Sequence, residues 1–324
     1  MITTIVALRK IGVDAVSVCT KTNRFGYKVD YNFSQENCPN KWIRKSKKAF
    51  FFLKMLLYYD IIHYHCGHSF YGGSFFDMKI FSLFHKKIVV EFWGSDIRKP
   101  GLAVSKNPYF VNAANISDED TIALQQKVSR YISHVIVSDY EMREYVDPSF
   151  KYIHVVPQRI DLGDYFPNYP KVQNHCPLIV HAPSLRGYKG TETILRVIDS
   201  LRSKFSFRFE LIENLTHDDA IQRYSQADIV VDEIRTGAYG ILAIEAMALG
   251  KPVVCYIRPD LEATYPKGMP IVSASPDSFE QTLIELLIDG PKRHQLGIDG
   301  RKYVEENHDS ITIAQQLLQI YREI

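Results

Sequence analysis

The chain has 324 residues, a hydrophobic fraction of 46%, a charged fraction of 23% and a formal net charge of +2. That length is more than one core usually serves and suits two domains, and so small a net charge gives no global reason to expect a nucleic-acid partner. The five cysteines (Cys19, Cys38, Cys66, Cys176, Cys255) form no C-x-x-C pair or metal-ligand spacing, no apolar run reaches the ~18 residues of a membrane span, and no signal-peptide pattern opens the chain, so buried free thiols in a reducing cytoplasm are expected.

Taken in chain order, Met1–Ile11 reads as a helix leading into a strand at Asp14–Cys19. A doubly wound domain normally opens with a strand and a turn, so a strand and loop of about 15–20 residues are expected to be missing ahead of this helix. Further strands are expected at Ile61–His65, Ile88–Trp93, His134–Ser138 and Ile153–Val156, with helices at Trp42–Tyr59, Phe75–Phe84 and Ser117–Tyr131. Many of the strands are near-continuous Val/Ile runs, the pattern of a parallel sheet covered on both faces. The Pro-rich, polar stretch Tyr165–Cys176 reads as a linker. Beyond it come strands at Leu178–Ala182, Phe207–Ile212, Ile229–Asp232, Val253–Tyr256 and Ile271–Ser273. Helices are expected at Thr191–Lys204, His217–Ser225, Tyr239–Leu249, Ser278–Leu287 and Pro291–Asn307. A last helix, Ile311–Ile324, is expected to pack back on the first domain. The alternation predicts an α/β chain of two doubly wound, Rossmann-like domains, 1–165 and 166–310, with ligands at the carboxyl ends of the strands in the cleft between them.

The segment Thr236–Val254, TGAYGILAIEAMALGKPVV, is the most informative. It reads as a Gly-containing loop, a helix of about three turns, a Gly stop and the opening of a buried strand. Glu245 is the single charged residue between Thr236 and Gly250. A carboxylate among Ile241, Ile244, Met247 and Leu249 is costly to bury without a partner. Gly240, near the helix start, lets a ligand approach amides that lack intrahelical acceptors. Amides, a positive helix end and one acid suit a ligand carrying both phosphates and hydroxyls, such as a nucleotide-sugar. The plain alternative is an Ala- and Leu-rich helix whose one acid faces water.

Four further stretches decide between these readings by resemblance. HAPSLRGYKGTETIL resembles the first phosphate loop of the large retaining GT-B glycosyltransferase family numbered four, the glycosyl transferases group 1 type. YSQADIVVDEI followed by GAYGILAIEAMALGKPVV resembles its signature stretch, and VVPQRIDLGDYFP and RKYVEENHDSITIAQQLLQIY resemble its hinge and closing helices. The resemblance covers nearly all of the chain and implies the GT-B fold. It also implies transfer of a sugar from a nucleotide diphosphate donor to an acceptor hydroxyl with retained anomeric configuration. Cations and amides, rather than a metal, would hold the departing diphosphate. No cofactor is expected beyond the nucleotide-sugar co-substrate.

By that resemblance Lys189, followed by Gly190, is the phosphate-binding lysine. Ser184 stands where most relatives carry an Arg, and Arg186 is the candidate second cation. Glu245 matches the second Glu of the family's pair and would accept from the ribose hydroxyls. The first Glu would fall at Gly237, which leaves the donor sugar to the backbone around Tyr239, Gly240 and Ile241, with Glu233 and Asp232 as candidate replacements or merely loop caps. In the first domain, Asp96 and Arg98 follow the strand that ends at Trp93, a position where relatives often carry a His. His65 and His68 follow the strand at Ile61, with His65 the stronger candidate for a catalytic role. Both of these have structural readings as strand-end residues.

One local charge feature remains. KWIRKSKKAFFFLKMLLYY, Lys41 to Tyr59, holds Lys41, Arg44, Lys45, Lys47, Lys48 and Lys54 with no acid before Asp60, beside Trp42 and Phe50–Phe52. It reads either as a helix resting on anionic lipid through 41–54 or as a solvated basic turn leading into a helix that packs on the sheet. The expected enzyme is thus a cytoplasmic, metal-independent hexosyltransferase, peripheral on the inner face of the plasma membrane in the first case, with a saccharide or lipid-linked acceptor and a role in surface polysaccharide building. The alternatives are a catalytically silent scaffold of the same fold and a sugar-nucleotide epimerase.

Overall fold

The computed structural model describes residues 2–21 and 28–324. Its strands are β1 (Val18–Cys19), β2 (Tyr31–Asn32), β3 (Ile61–His65), β4 (Lys87–Phe92), β5 (His134–Val137) and β6 (Tyr152–Val155), then β7 (Leu178–His181), β8 (Arg208–Leu211), β9 (Ile229–Val231) and β10 (Val253–Val254). All pairings are parallel, in sheets of order β1-β2, β3-β4-β5-β6 and β10-β9-β7-β8. Every residue of β5, β7 and β9 is buried, as strands covered on both faces require. These are α/β units built on parallel sheets, as the alternation of strands and helices predicts.

The chain divides into two compact units. The first comprises Met1–Lys99, Ile116–Pro157 and Ser310–Ile324; the second comprises Pro100–Asn115 and Gln158–Asp309. In the first, the C-terminal helix Ser310–Glu323 lays Ile313, Leu317 and Tyr321 in one core with Ala7 and Leu8 of the helix Ile2–Lys10 and with Val89 and Ile136 of the sheet. In the second, one face of the sheet carries Val180 and Val230 under the helix Ile241–Ala248, and the other carries Ile179 and Ile229 under Thr191–Leu201 and Phe279–Ile288. The stretch Tyr165–Cys176 runs within the second unit.

Helices begin where local chemistry lets them. Asn40 accepts from the amides of Trp42 and Ile43 to open Lys41–Tyr58. Ser117 caps Asp118–Ser129, whose first turn holds three acids, and Thr216 caps His217–Ser225.

Several expectations are corrected. The strand at Asp14–Cys19 contracts to β1, because the Asp30 carboxylate takes both the amide and the hydroxyl of Ser17 at 2.7 Å, where a ladder partner would stand. Its partner β2 was not expected. Ile271–Ser273 makes a single bridge, Val254 to Val272, rather than a strand. The helix Pro100–Lys106 carries no clear periodic signal, and the expected phosphate loop contains a short helix, Arg186–Lys189. Cys176 is exposed, whereas Cys38 and Cys255 are buried thiols. The first helix is Ile2–Lys10, and Met1 lies outside the described residues. A cavity of about 630 Å³ in the first unit is lined by residues 13–21 and by β3.

Candidate functional site

The sheet of the second unit changes direction at β7. From β7 the chain passes to β8 on one side, then returns to β9 on the other. Connections leaving neighbouring strands in opposite senses open a crevice at the strands' carboxyl ends. Lys189 follows β7, and Asp232 and Glu233 follow β9, so all three belong to that switch point.

The side chains converge there. Lys189 Nζ donates to Asp232 Oδ1 at 2.6 Å and lies 3.3 Å from Glu233 Oε2. Burial works against the Lys189 charge, but the two carboxylates outweigh it and hold the ammonium well above its ordinary range. Asp232 is fully buried, and its Oδ2 has no hydrogen-bond partner. Gly240 completes the cluster: a Cβ there would sit 3.6 Å from Glu233 Oε1 and 3.9 Å from both Asp232 Oδ2 and Lys189 Nζ. Gly240 is the N-cap of the helix Ile241–Ala248 and supplies no side-chain cap, so the first helical amides face outward without intrahelical acceptors. One cation, two carboxylates and a helix start therefore share one small volume.

Backbone constraints fix this arrangement. Gly190 has φ +76°, and a Cβ there would lie 2.7 Å from Ile234 Cγ1, so glycine alone lets the chain turn from Lys189 into the next helix. His181, at the end of β7, lies 2.8 Å from the Val231 carbonyl through Nδ1 and 2.9 Å from Thr191 Oγ1 through Nε2. Burial depresses its imidazole to about 4, so it is a neutral brace between β7, β9 and the helix at Thr191. The Cys255 thiol is pushed up by burial and by Asp232 and Glu233.

Glu245 lies further along the helix and is 6% exposed. Its carboxylate is not solitary: Oε1 accepts from His217 Nε2 at 2.7 Å and from the Tyr165 hydroxyl at 3.1 Å. The bond to Glu245 raises the His217 imidazole above its usual range, against a partial burial cost. The buried Tyr224 lies within electrostatic reach of both Glu245 and the Lys189 cluster. Its phenol is pushed up by burial first, then by Glu245 and Asp232, while Lys189 pulls the other way.

The remaining sequence candidates fall differently. At Gly237 the backbone has φ +89°, and a Cβ would press on Arg258 Cγ at 3.0 Å, so a Glu here would be strained and would have to displace Arg258. Asn107 Nδ2 donates to the carbonyls of Arg235 and Thr236 at 2.7 and 3.0 Å, which clamps the strand-to-helix loop. The buried Tyr239 directs its hydroxyl to His308 Nε2 at 3.0 Å inside the core. Ile241 is 44% exposed at the helix start. Arg186 is bound bidentately by Glu213 at 2.8 and 2.7 Å and also by Glu192, so its charge is already matched; Ser184 is exposed.

In the first unit, Asp96 accepts from the amides of Trp93 and Gly94 and serves as a turn cap, and Arg98 forks onto the buried Glu141 at 2.9 and 2.8 Å. Both are structural in these contacts. His65 Nδ1 accepts from Trp93 Nε1 at 3.2 Å, while His68 Nε2 lies 3.3 Å from Lys21 Nζ. Among the described residues two groups have metal-ligand spacing: His63, His65 and Glu91, and Asp232, Glu233 and Cys255. In the second the Lys189 ammonium already supplies the positive charge. In the first the Trp93 indole takes the lone pair of His65 Nδ1.

Known structures resemble the chain in fold. Residues 206–303 match the family Glycosyl transferases group 1, a span that includes Asp232, Glu233, Gly240 and Glu245. No curated protein sequence matches the chain. Among solved structures, a glycosyltransferase from Rickettsia africae superposes with a TM-score of 0.63 at 14% identity, covering 99% of this chain and 93% of that one. Sucrose-phosphate synthase from Thermosynechococcus elongatus gives 0.62 at 16% identity, covering 86% and 77%. Anabaena HepE in complex with UDP-glucose gives 0.55 at 14% identity, covering 86% and 82%. The chain thus has the fold of the GT-B glycosyltransferases, and its residues 206–303 carry the glycosyl transferases group 1 match.

Proposed function

We propose that the protein is a retaining glycosyltransferase that moves a hexosyl group from a nucleotide-diphosphate sugar to a saccharide or lipid-linked acceptor, in the building of a surface polysaccharide. The observation that carries this reading is the meeting of Lys189, Asp232, Glu233 and the Gly240 helix start at the switch point of the second unit. In the reaction the bond from the sugar's anomeric carbon to the diphosphate breaks. The acceptor oxygen bonds to the same face of that carbon, and the acceptor's proton passes to the departing phosphate. The diphosphate gains charge as it leaves, so a cation and convergent amides stabilise the transition state more than the bound donor. Lys189 would turn from Asp232 to the phosphate; the Asp232 oxygen left without a partner would accept a donor-sugar hydroxyl, standing in for the carboxylate that Gly237 cannot supply. Glu245, held by His217 and Tyr165, would take the ribose hydroxyls. This chemistry is assigned to the chain's own groups, without a resident metal.

A second reading, a silent scaffold of the same fold, is favoured by the matched charge of Arg186 and the crowding at Gly237. A thermal-shift panel of UDP-, GDP- and ADP-sugars, with magnesium and with chelator, separates the two, because a ligand that binds only the folded form raises the melting point. The transferase reading expects a chelator-insensitive shift, and turnover lost on Glu245→Ala. No shift with any nucleotide-sugar would leave the scaffold.

A further inference from the structure

The helix Lys41–Tyr58 has two apolar faces, and the fold uses one of them. Phe51 and Met55 are buried, whereas Trp42, Phe50, Leu53 and Leu57 are 76%, 75%, 51% and 62% exposed. At roughly 100° per residue these four fall within an arc of about 80°, turned away from the buried pair. Beyond the stripe, the half-buried Phe52 ring packs 6.0 Å from that of Phe76, itself 49% exposed on the neighbouring helix Phe76–Leu83. Apolar side chains scattered singly on a surface need no explanation, but a stripe along one 18-residue helix does.

The charges sort in the same way. Three of the six basic residues are engaged inward: Arg44 donates to the Cys38 carbonyl, Lys48 to the Phe70 carbonyl and Lys54 to the Tyr31 hydroxyl. Lys41, Lys45 and Lys47 remain exposed. Lys45 and Lys47 fall on opposite borders of the apolar stripe, and Lys45 lies 5.3 Å from the Trp42 ring centroid. The first turn holds no acid, so these cations add to the positive end of the helix dipole instead of being offset there. No helix of the described residues is long and apolar enough to cross a membrane. A helix with an exposed apolar stripe, Trp at one end and lysines along both borders lies in the plane of an anionic bilayer surface.

We propose that this face is a membrane-docking surface for anionic lipid, with Trp42, Phe50, Leu53 and Leu57 entering the interface and Lys41, Lys45 and Lys47 meeting the headgroups. It belongs to the first unit and stands whether or not the second unit takes a nucleotide-sugar.

The test is flotation of the full chain with vesicles of phosphatidylcholine mixed with phosphatidylglycerol, and with pure phosphatidylcholine vesicles. Binding to the mixed vesicles that weakens with salt is expected, with a blue shift of the Trp42 emission that Trp42→Phe removes. Lys45→Glu and Lys47→Glu should each weaken that binding by about five-fold or more. Leu53→Glu should abolish it with no change in thermal unfolding, since the side chain is exposed. Absence of binding by the folded wild type would overturn the proposal. So would self-association without lipid that Leu53→Glu dissolves, which would assign the face to a second copy of the chain. Neither outcome bears on nucleotide-sugar binding, which is read separately.

Discussion

At the residue scale, the cluster at Lys189 is under electrostatic tension. One ammonium serves two carboxylates, and Asp232 is wholly buried. Removing one partner of a buried pair leaves an uncompensated charge at a cost of about 3–5 kcal/mol. Lys189→Met should therefore lower stability in urea even without ligand, and should abolish any nucleotide-sugar shift in melting point. The pair His217–Glu245 makes a pH prediction. His217 binds its proton more tightly in the folded chain than in the unfolded one. Its contribution is complete below the ordinary histidine value and is lost as the pH rises through the raised one. Stability should fall from near neutrality upward, and His217→Ala should flatten that slope in denaturant titrations run across the range. Lys189 and Glu245 are local features of a motif and could be picked from the sequence. The partner His217 could not, because it stands 28 residues from Glu245 and looks like an ordinary first residue of a helix after a Thr cap.

At the scale of elements, strands and long helices were legible because burial on both faces, or on one stripe, leaves a periodic trace. The strands β4, β5 and β9 and the helices after Asn40, Ser117 and Thr216 follow that trace. What left none is the stretch Pro100–Asn115, a short helix and a turn whose Asn107 amide reaches the loop before Gly237 and whose Tyr109 hydroxyl donates to Asp277. The loop itself explains the departure at Gly237. Since its φ is +89° and Arg258 crowds the Cβ direction, Gly237→Glu should not restore a sugar-reading carboxylate. Left-handed strain of about 1–2 kcal/mol plus overpacking of about 1–3 kcal/mol should instead lower the melting point. Calorimetry on the variant, together with its donor-sugar preference, checks this; a stable variant with gained activity would show that the loop yields more easily than its contacts suggest.

On the scale of the whole molecule, acid should be the chain's weak side. His181 and His308 are buried and neutral, each depressed to about 4 from an ordinary 6.5. Between those values the unfolded chain binds protons that the folded chain refuses, so stability falls as the pH drops through that window, by roughly 3 kcal/mol for each group at the full shift. Urea midpoints measured from pH 7 down to about 4 should decline, and His308→Gln should moderate the loss. Sequence patterning foresaw two α/β units, yet not how the chain is dealt between them. Hydrophobic periodicity reports that a face is covered and is silent about what covers it.

That distribution has a consequence for recombination. The chain passes between its units after Lys99, Asn115, Pro157 and Asp309. A chimera joined once, near residue 157, would give the second unit of one parent a foreign Asn107 brace, and the core around Leu8 a foreign Leu317. Halves exchanged between relatives would need all four seams respected, so shuffling of the two units is constrained by the small inserted segment as much as by the large halves.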